Sequence, residues 1–88
     1  MTNGQFGPVS TSDDTNVISW DWEESVNGTD WAPAGTSILT DIDGENTNTL
    51  LINSGTLEEN GTFVRCKAAT SYAPNGVYSN SAQLFVTE

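Results

Sequence analysis

Asp21, Glu23 and Glu24 form the tightest group of ionisable side chains in this 88-residue chain. Two carboxylates held a few ångströms apart can act as acid and base on a glycosidic bond. Here they sit on or beside the polar side of an alternating run, in a chain too small to shape much of a cleft around them. Composition closes the other routes to covalent catalysis. Histidine is absent and Cys66 is the only cysteine, so no Ser–His or Cys–His pair can form. Asp41-x-Asp43-Gly44-Glu45 offers oxygen ligands for a hard cation but lacks the length and terminal acid of an EF-hand loop. It reads as an acidic turn. The expectation is a non-enzymatic protein with no catalytic residue, no metal site and no cofactor, in which Asp21, Glu23 and Glu24 serve solvation.

The elements that carry these residues read as strands. In Val17–Glu24, Ile18, Trp20 and Trp22 fall on one face and Ser19, Asp21 and Glu23 on the other, the period of a half-buried strand. Asn27-Gly28 is a strong hairpin signal, and Trp31 opens a short return strand that Pro33 and Gly35 end. Gly35 to Asn48 is irregular, with Ile38 and Leu39 as a brief strand. The organising stretch is Thr49–Ala69. Its first run puts Leu50 and Ile52 on one face, and its second, past Asn60-Gly61, does the same for Val64, Cys66 and Ala68. After a turn at Tyr72–Gly76, the run Val77–Thr87 groups Tyr78, Ala82, Leu84 and Val86. Residues 1–16 are polar, and Pro8 argues against a central strand, so they are expected to form an N-terminal arm or edge strand. No helical period is visible. Short strands separated by turn signals predict an all-β, two-sheet sandwich over residues 17–88.

Eighty-eight residues make one domain with a thin core, burying about 60–65% of the surface of the unfolded chain. One cysteine precludes an internal disulfide, so added stability is expected from self-association or a larger assembly. Arg65 and Lys67 stand against twelve acidic residues, for a net charge of −10. That balance argues against nucleic acid and anionic membranes as partners, and no apolar run is long enough to insert in a bilayer. The opening Met-Thr-Asn-Gly-Gln has neither a basic leader nor an apolar core, so assembly in the cytoplasm is expected. Asn27-Gly28-Thr29 and Asn60-Gly61-Thr62 fit the N-glycosylation pattern, but without a leader they read as turns.

Three pieces of the chain together resemble the immunoglobulin-like domains of bacterial surface proteins and tailed-phage structural proteins. They are Trp22 followed by Ser25-Val26-Asn27-Gly28-Thr29-Asp30-Trp31, the Thr49–Ile52 strand leading through Asn60-Gly61 to Arg65-Cys66, and the closing Ser79–Val86. The resemblance implies an immunoglobulin-like sandwich, trimmed at its N-terminal strands, with Trp22 as the central ring and Cys66 opposite it. Trp20, Trp22, Leu50, Ile52, Val64, Cys66, Ala68, Leu84 and Val86 would form the core. Val64 stands where many such domains have a corner tyrosine.

Phe63, Phe85, Trp31, Tyr72 and Tyr78 are left as candidate partner contacts, since they lie in loops or on the outward phase of strands. Phe63 and Phe85 would form one apolar patch, with the N-terminal arm beside it. The resemblance implies a structural or decoration protein of a phage-like particle, a virion component assembled in the host cytoplasm. It would act by protein–protein attachment, with other virion proteins or copies of itself as partners. The alternative is a glycan- or protein-binding module of a bacterial surface adhesin or secreted enzyme, extracellular or at the cell surface, with Trp31 and Tyr72 on a cell-surface glycan.

Overall fold

The computed structural model describes residues 2–9 and 17–86 of the chain. Among them are eight strands: β1 (Thr2–Phe6), β2 (Val17–Ser25), β3 (Ala32–Pro33), β4 (Ile42–Asp43), β5 (Leu50–Gly55), β6 (Phe63–Thr70), β7 (Val77–Tyr78) and β8 (Ala82–Gln83). They make two antiparallel sheets. The smaller runs β1-β5-β4. The larger runs β3-β2-β6-β7, with β8 also on β6. Leu50 and Ile52 from the smaller sheet meet Trp22, Val64 and Cys66 from the larger one, with Leu39, Leu84 and Val86 completing the buried cluster. The core thus lies between the sheets, and the fold is an all-β sandwich. Each such aliphatic side chain contributes about 1.5–3 kcal/mol by leaving water.

Alternation explains most of this packing. Trp22 and Cys66 are directly opposed across β2 and β6, and both are buried, as is Ala68. The Trp22 indole Nε1–H donates to the Thr47 carbonyl at 2.9 Å, so its polar edge is satisfied inside the core. Trp20 is half-buried and packs against the cluster from its rim.

Ile18 departs from the sequence expectation: it shares the phase of Trp20 and Trp22 yet is 67% exposed. The register between β2 and β6 slips between Val17 and Ser19. A bulge of this kind inserts one residue and breaks the alternation beyond it.

The closing run also departs from a single strand. It divides into β7 and β8, leaving Tyr78 46% exposed while Leu84 and Val86 are buried. Ser79 causes the change of phase. Its backbone N–H donates to the Cys66 carbonyl at 2.8 Å, and its hydroxyl accepts the Cys66 N–H at 2.9 Å. A side chain thereby replaces the next ladder bond, and the chain kinks before β8. Ala82, expected inside with Leu84, stands opposite the buried Val64 yet is exposed.

In the N-terminal segment, Thr2–Phe6 pairs with β5 along the edge of the smaller sheet. Phe6 and Val9 pack against the core. Residues 10–16 of the expected arm lie outside the described residues.

Burial pushes the Cys66 thiol up to about 11, so it is almost wholly protonated near neutrality and slow as a nucleophile. A thiol reagent is expected to label the folded protein far more slowly than the urea-unfolded one, and rapid labelling of the native state would contradict the β2–β6 packing. The linkage is explicit: the folded thiol titrates above its ordinary 9.0, so stability falls as pH rises from 9.0 towards 11. Cys66→Ala should cost about 1–3 kcal/mol in a denaturant titration.

Candidate interaction face and the buried carboxylates

The three carboxylates of the Asp21–Glu24 run do not converge. Asp21 is exposed and Glu23 half-buried on the outer face of the larger sheet. Glu24 has 0% exposure and points into the molecule, continuing the inward phase of Trp20 and Trp22. Its expected role in solvation is therefore corrected.

Glu24 Oε1 accepts the backbone N–H groups of Gly35 (2.8 Å) and Leu39 (3.1 Å). Oε2 accepts those of Ser37 (3.0 Å) and Ile38 (2.8 Å) and the Ser37 hydroxyl (2.9 Å). Thr40 N–H continues the series by donating to Glu59 Oε2 at 3.1 Å. Glu59 is likewise buried, in the turn of 3-10 helix at Leu57–Glu59, where its Oε1 takes the Thr56 N–H at 2.9 Å. Every backbone N–H from Ser37 to Thr40 thus ends on a carboxylate. That is why Ile38 and Leu39 form no strand: their donors are committed to Glu24, and Leu39 is carried into the core at 1% exposure.

Burial alone would raise the Glu24 carboxyl, but the hydrogen bonds from Gly35, Leu39, Ser37 and Ile38 outweigh it and hold the group below 4.5. A lowered carboxyl contributes its full stabilisation above 4.5 and loses it as pH falls through the folded value. Urea midpoints are therefore expected to hold steady from neutral pH down to about that point and to drop below it.

The outer face of the larger sheet gathers several residues that looked unrelated in the sequence. Phe63, Arg65 and Lys67 share the outward phase of β6. Across β2 they oppose Ser25, Glu23 and Asp21, and Tyr78 opposes Lys67 from β7. Arg65 Nε donates to Glu23 Oε1 at 2.7 Å. Its guanidinium carbon lies 4.3 Å from the Trp31 ring centroid and 3.9 Å from that of Tyr78. One cation is thus held between two aromatic rings, an arrangement suited to the flat, weakly hydrated guanidinium. Lys67 Nζ lies 5.9 Å from the Tyr78 centroid.

Trp31 reaches this position through the β2–β3 hairpin. There the Ser25 hydroxyl accepts the N–H groups of Asn27 and Gly28, and Asn27 Oδ1 accepts those of Thr29 and Asp30. Gly28 has φ +79°, which a residue with a Cβ rarely adopts, and it packs over the Phe63 ring.

With Asp21 and Glu23 against Arg65 and Lys67, this face is formally neutral, although the chain carries −10. A polar cleft of about 350 Å³ borders it, between Pro33–Ala34 and Glu45–Asn46, with Asp21, Glu23 and Lys67 on its walls.

The five candidate contact residues separate. Trp31, Phe63 and Tyr78 lie on this face. Tyr72, 81% exposed, lies beyond one end of β6, and Phe85, 68% exposed, lies beyond the other. Phe63 is half-buried beneath the hairpin, and its strand partner is Gln83. Phe85 therefore follows one same-face step beyond that pair. Arg65 was read from the sequence as charge and as part of the Arg65-Cys66 strand, not as a contact residue. The signal that could have found it is the placement of both bases on one phase of one strand, next to Phe63.

Asp41 and Asp43 direct their carboxylates at Asn53 Nδ2, at 3.5 and 2.9 Å. Among the described residues no three acidic, histidine or cysteine side chains are grouped closely enough to hold a metal ion, and no helix is long and apolar enough to cross a membrane. No family model, curated protein or solved structure matches the chain.

Proposed function

We propose that this chain is a non-enzymatic attachment module, an immunoglobulin-like sandwich that docks on a protein surface of a phage-like particle as a structural or decoration protein. The observation that carries the reading is the neutral, aromatic outer face of the larger sheet on a chain of net charge −10. A strongly acidic surface repels other acidic surfaces. Docking is easiest where charge is balanced and where aromatic rings and an arginine, the residues favoured at contacts, stand together. The immunoglobulin-like part of the reading is supported by the strand order in the two sheets and by Trp22 opposite Cys66. The particle rests on the sequence resemblance. Virion proteins or copies of this chain are the proposed partners.

A glycan- or protein-binding module of a surface adhesin or secreted enzyme is the second reading, for which Tyr78 stands beside Trp31 in place of the expected Tyr72. Arg65 already occupies one face of each, which leaves less of them for stacking on sugar.

The test is purification of phage-like particles from cells that produce this chain, followed by quantitation of the chain on them. Co-purification at a fixed copy number is expected. Its absence from particles, together with binding of the pure protein on a glycan array, would favour the second reading.

A further inference from the structure

Four Asn-Gly steps occur in the chain, at Asn3, Asn27, Asn60 and Asn75. Each can in principle rearrange. The glycine amide nitrogen gives up its proton and attacks the asparagine Cγ. The bond from Cγ to the side-chain nitrogen then breaks, and ammonia leaves with that proton. Water next opens the five-membered imide at either carbonyl, giving aspartate or isoaspartate. The reaction needs a side chain free to swing its Cγ onto the following nitrogen, and here the fold discriminates sharply.

Asn27 is not free. Its Oδ1 accepts from Ser25 Oγ, Thr29 N and Asp30 N at 2.9–3.0 Å, and its Nδ2 donates to Asp30 Oδ2 at 2.8 Å. Its would-be nucleophile, Gly28 N, donates to Ser25 Oγ at 2.9 Å. Asn60 Oδ1 accepts the Val86 N–H at 2.8 Å, and Gly61 N donates to the Leu84 carbonyl at 2.7 Å. Asn3 stands at the register shift between Thr2 and Gly4, and Gly4, its would-be nucleophile, is paired to Ile52 in the β1–β5 ladder. Asn75 differs from Asn27 and Asn60. It is exposed, in the turn between β6 and β7, and its side chain has no hydrogen-bond partner among the described residues. Among the described residues only the Gly76 N–H is engaged there, with the Ala73 carbonyl at 3.0 Å.

We propose that Asn75 is a self-modifying site, which deamidates through the Gly76 amide in the folded protein while Asn27 and Asn60 are protected by their hydrogen bonds. The product carboxylate forms at the rim of the neutral face, since the Lys67 stem packs against Gly76 and Lys67 opposes Tyr78 in the ladder. Isoaspartate would also add a backbone methylene to this turn. The site therefore turns a neutral surface acidic with age, at the edge of the contact region.

The experiment incubates the whole purified chain in mildly alkaline buffer, native and in parallel in urea, and maps isoaspartate by peptide mass spectrometry and isoaspartyl methyltransferase labelling. In the native sample Asn75 should react roughly tenfold or more faster than Asn27 or Asn60, because freeing either of those first costs hydrogen bonds. In urea the three rates should converge, since each is then an unstructured Asn-Gly. Asn75→Gln should remove most of the native modification. Similar native rates at the three sites, a faster Asn27 or Asn60, or an Asn75 that reacts in urea but not in the native protein would each overturn the proposal.

Discussion

Glu24→Ala is expected to leave the domain unfolded, or so nearly unfolded that no folded baseline survives in a urea titration. The substitution strands four backbone N–H groups, those of Gly35, Ser37, Ile38 and Leu39, beside a buried cavity. Hydrogen bonds to a charged group contribute about 1.5–3 kcal/mol each, and orphaned donors carry a comparable penalty. Even heavily discounted for non-additivity, the loss should reach about 4–5 kcal/mol, close to the whole stability of a small domain. Leu39 would be released as well, since those donors position it in the core. Glu24→Gln should be almost as damaging, because its amide presents two donors to a nest of donors. Tryptophan fluorescence against urea reads the effect. A loss near 1 kcal/mol or less, the range of an exposed charge, would show that the loop is held by something other than this carboxylate.

The second large effect is expected on attachment. Arg65→Ala combined with Tyr78→Ala removes the cation and one of its two rings, and should strip the chain from particles to background level. The pair is half-buried or exposed, so the fold should survive. Each cation–π contact contributes about 0.5–2 kcal/mol, and the Glu23 ion pair, with side chains 23% and 20% exposed, adds about 1. The double variant should therefore lose roughly 2–3 kcal/mol of stability and keep its far-ultraviolet dichroism. Arg65→Lys should give an intermediate result, since an ammonium cannot stack as a plane between two rings. Full attachment of a folded double variant would move the contact elsewhere, with Phe85 the next candidate.

Much of the sandwich was legible because strand period and burial agree. Leu50, Ile52, Val64, Cys66 and Ala68 are buried where alternation puts them. Alternation failed where a polar group redirected the chain. The Ile18 bulge and the Ser79 side-chain bridge each shift the phase, and neither leaves a mark in a pattern of apolar and polar letters. Glu24 was misread for a related reason. A glutamate on the inward phase of a strand looks like the end of the strand until four backbone donors from a distant loop are found converging on it. The interaction face was half visible. Its aromatic residues could be named, but their convergence on Arg65 depends on the diagonal between β6 and β7 and on where the hairpin sets Trp31, which are tertiary facts.

The attachment face is tested most directly by hydroxyl-radical footprinting of the chain, free and on the particle, with oxidation read at each aromatic residue. Tyr78, 46% exposed in the free chain, and the half-buried Trp31 should lose most of their oxidation on the particle. Tyr72, 81% exposed beyond the end of β6, should be oxidised equally in both states. Protection of Tyr72 or Phe85 with unchanged oxidation of Tyr78 and Trp31 would contradict an attachment through the outer face of the larger sheet.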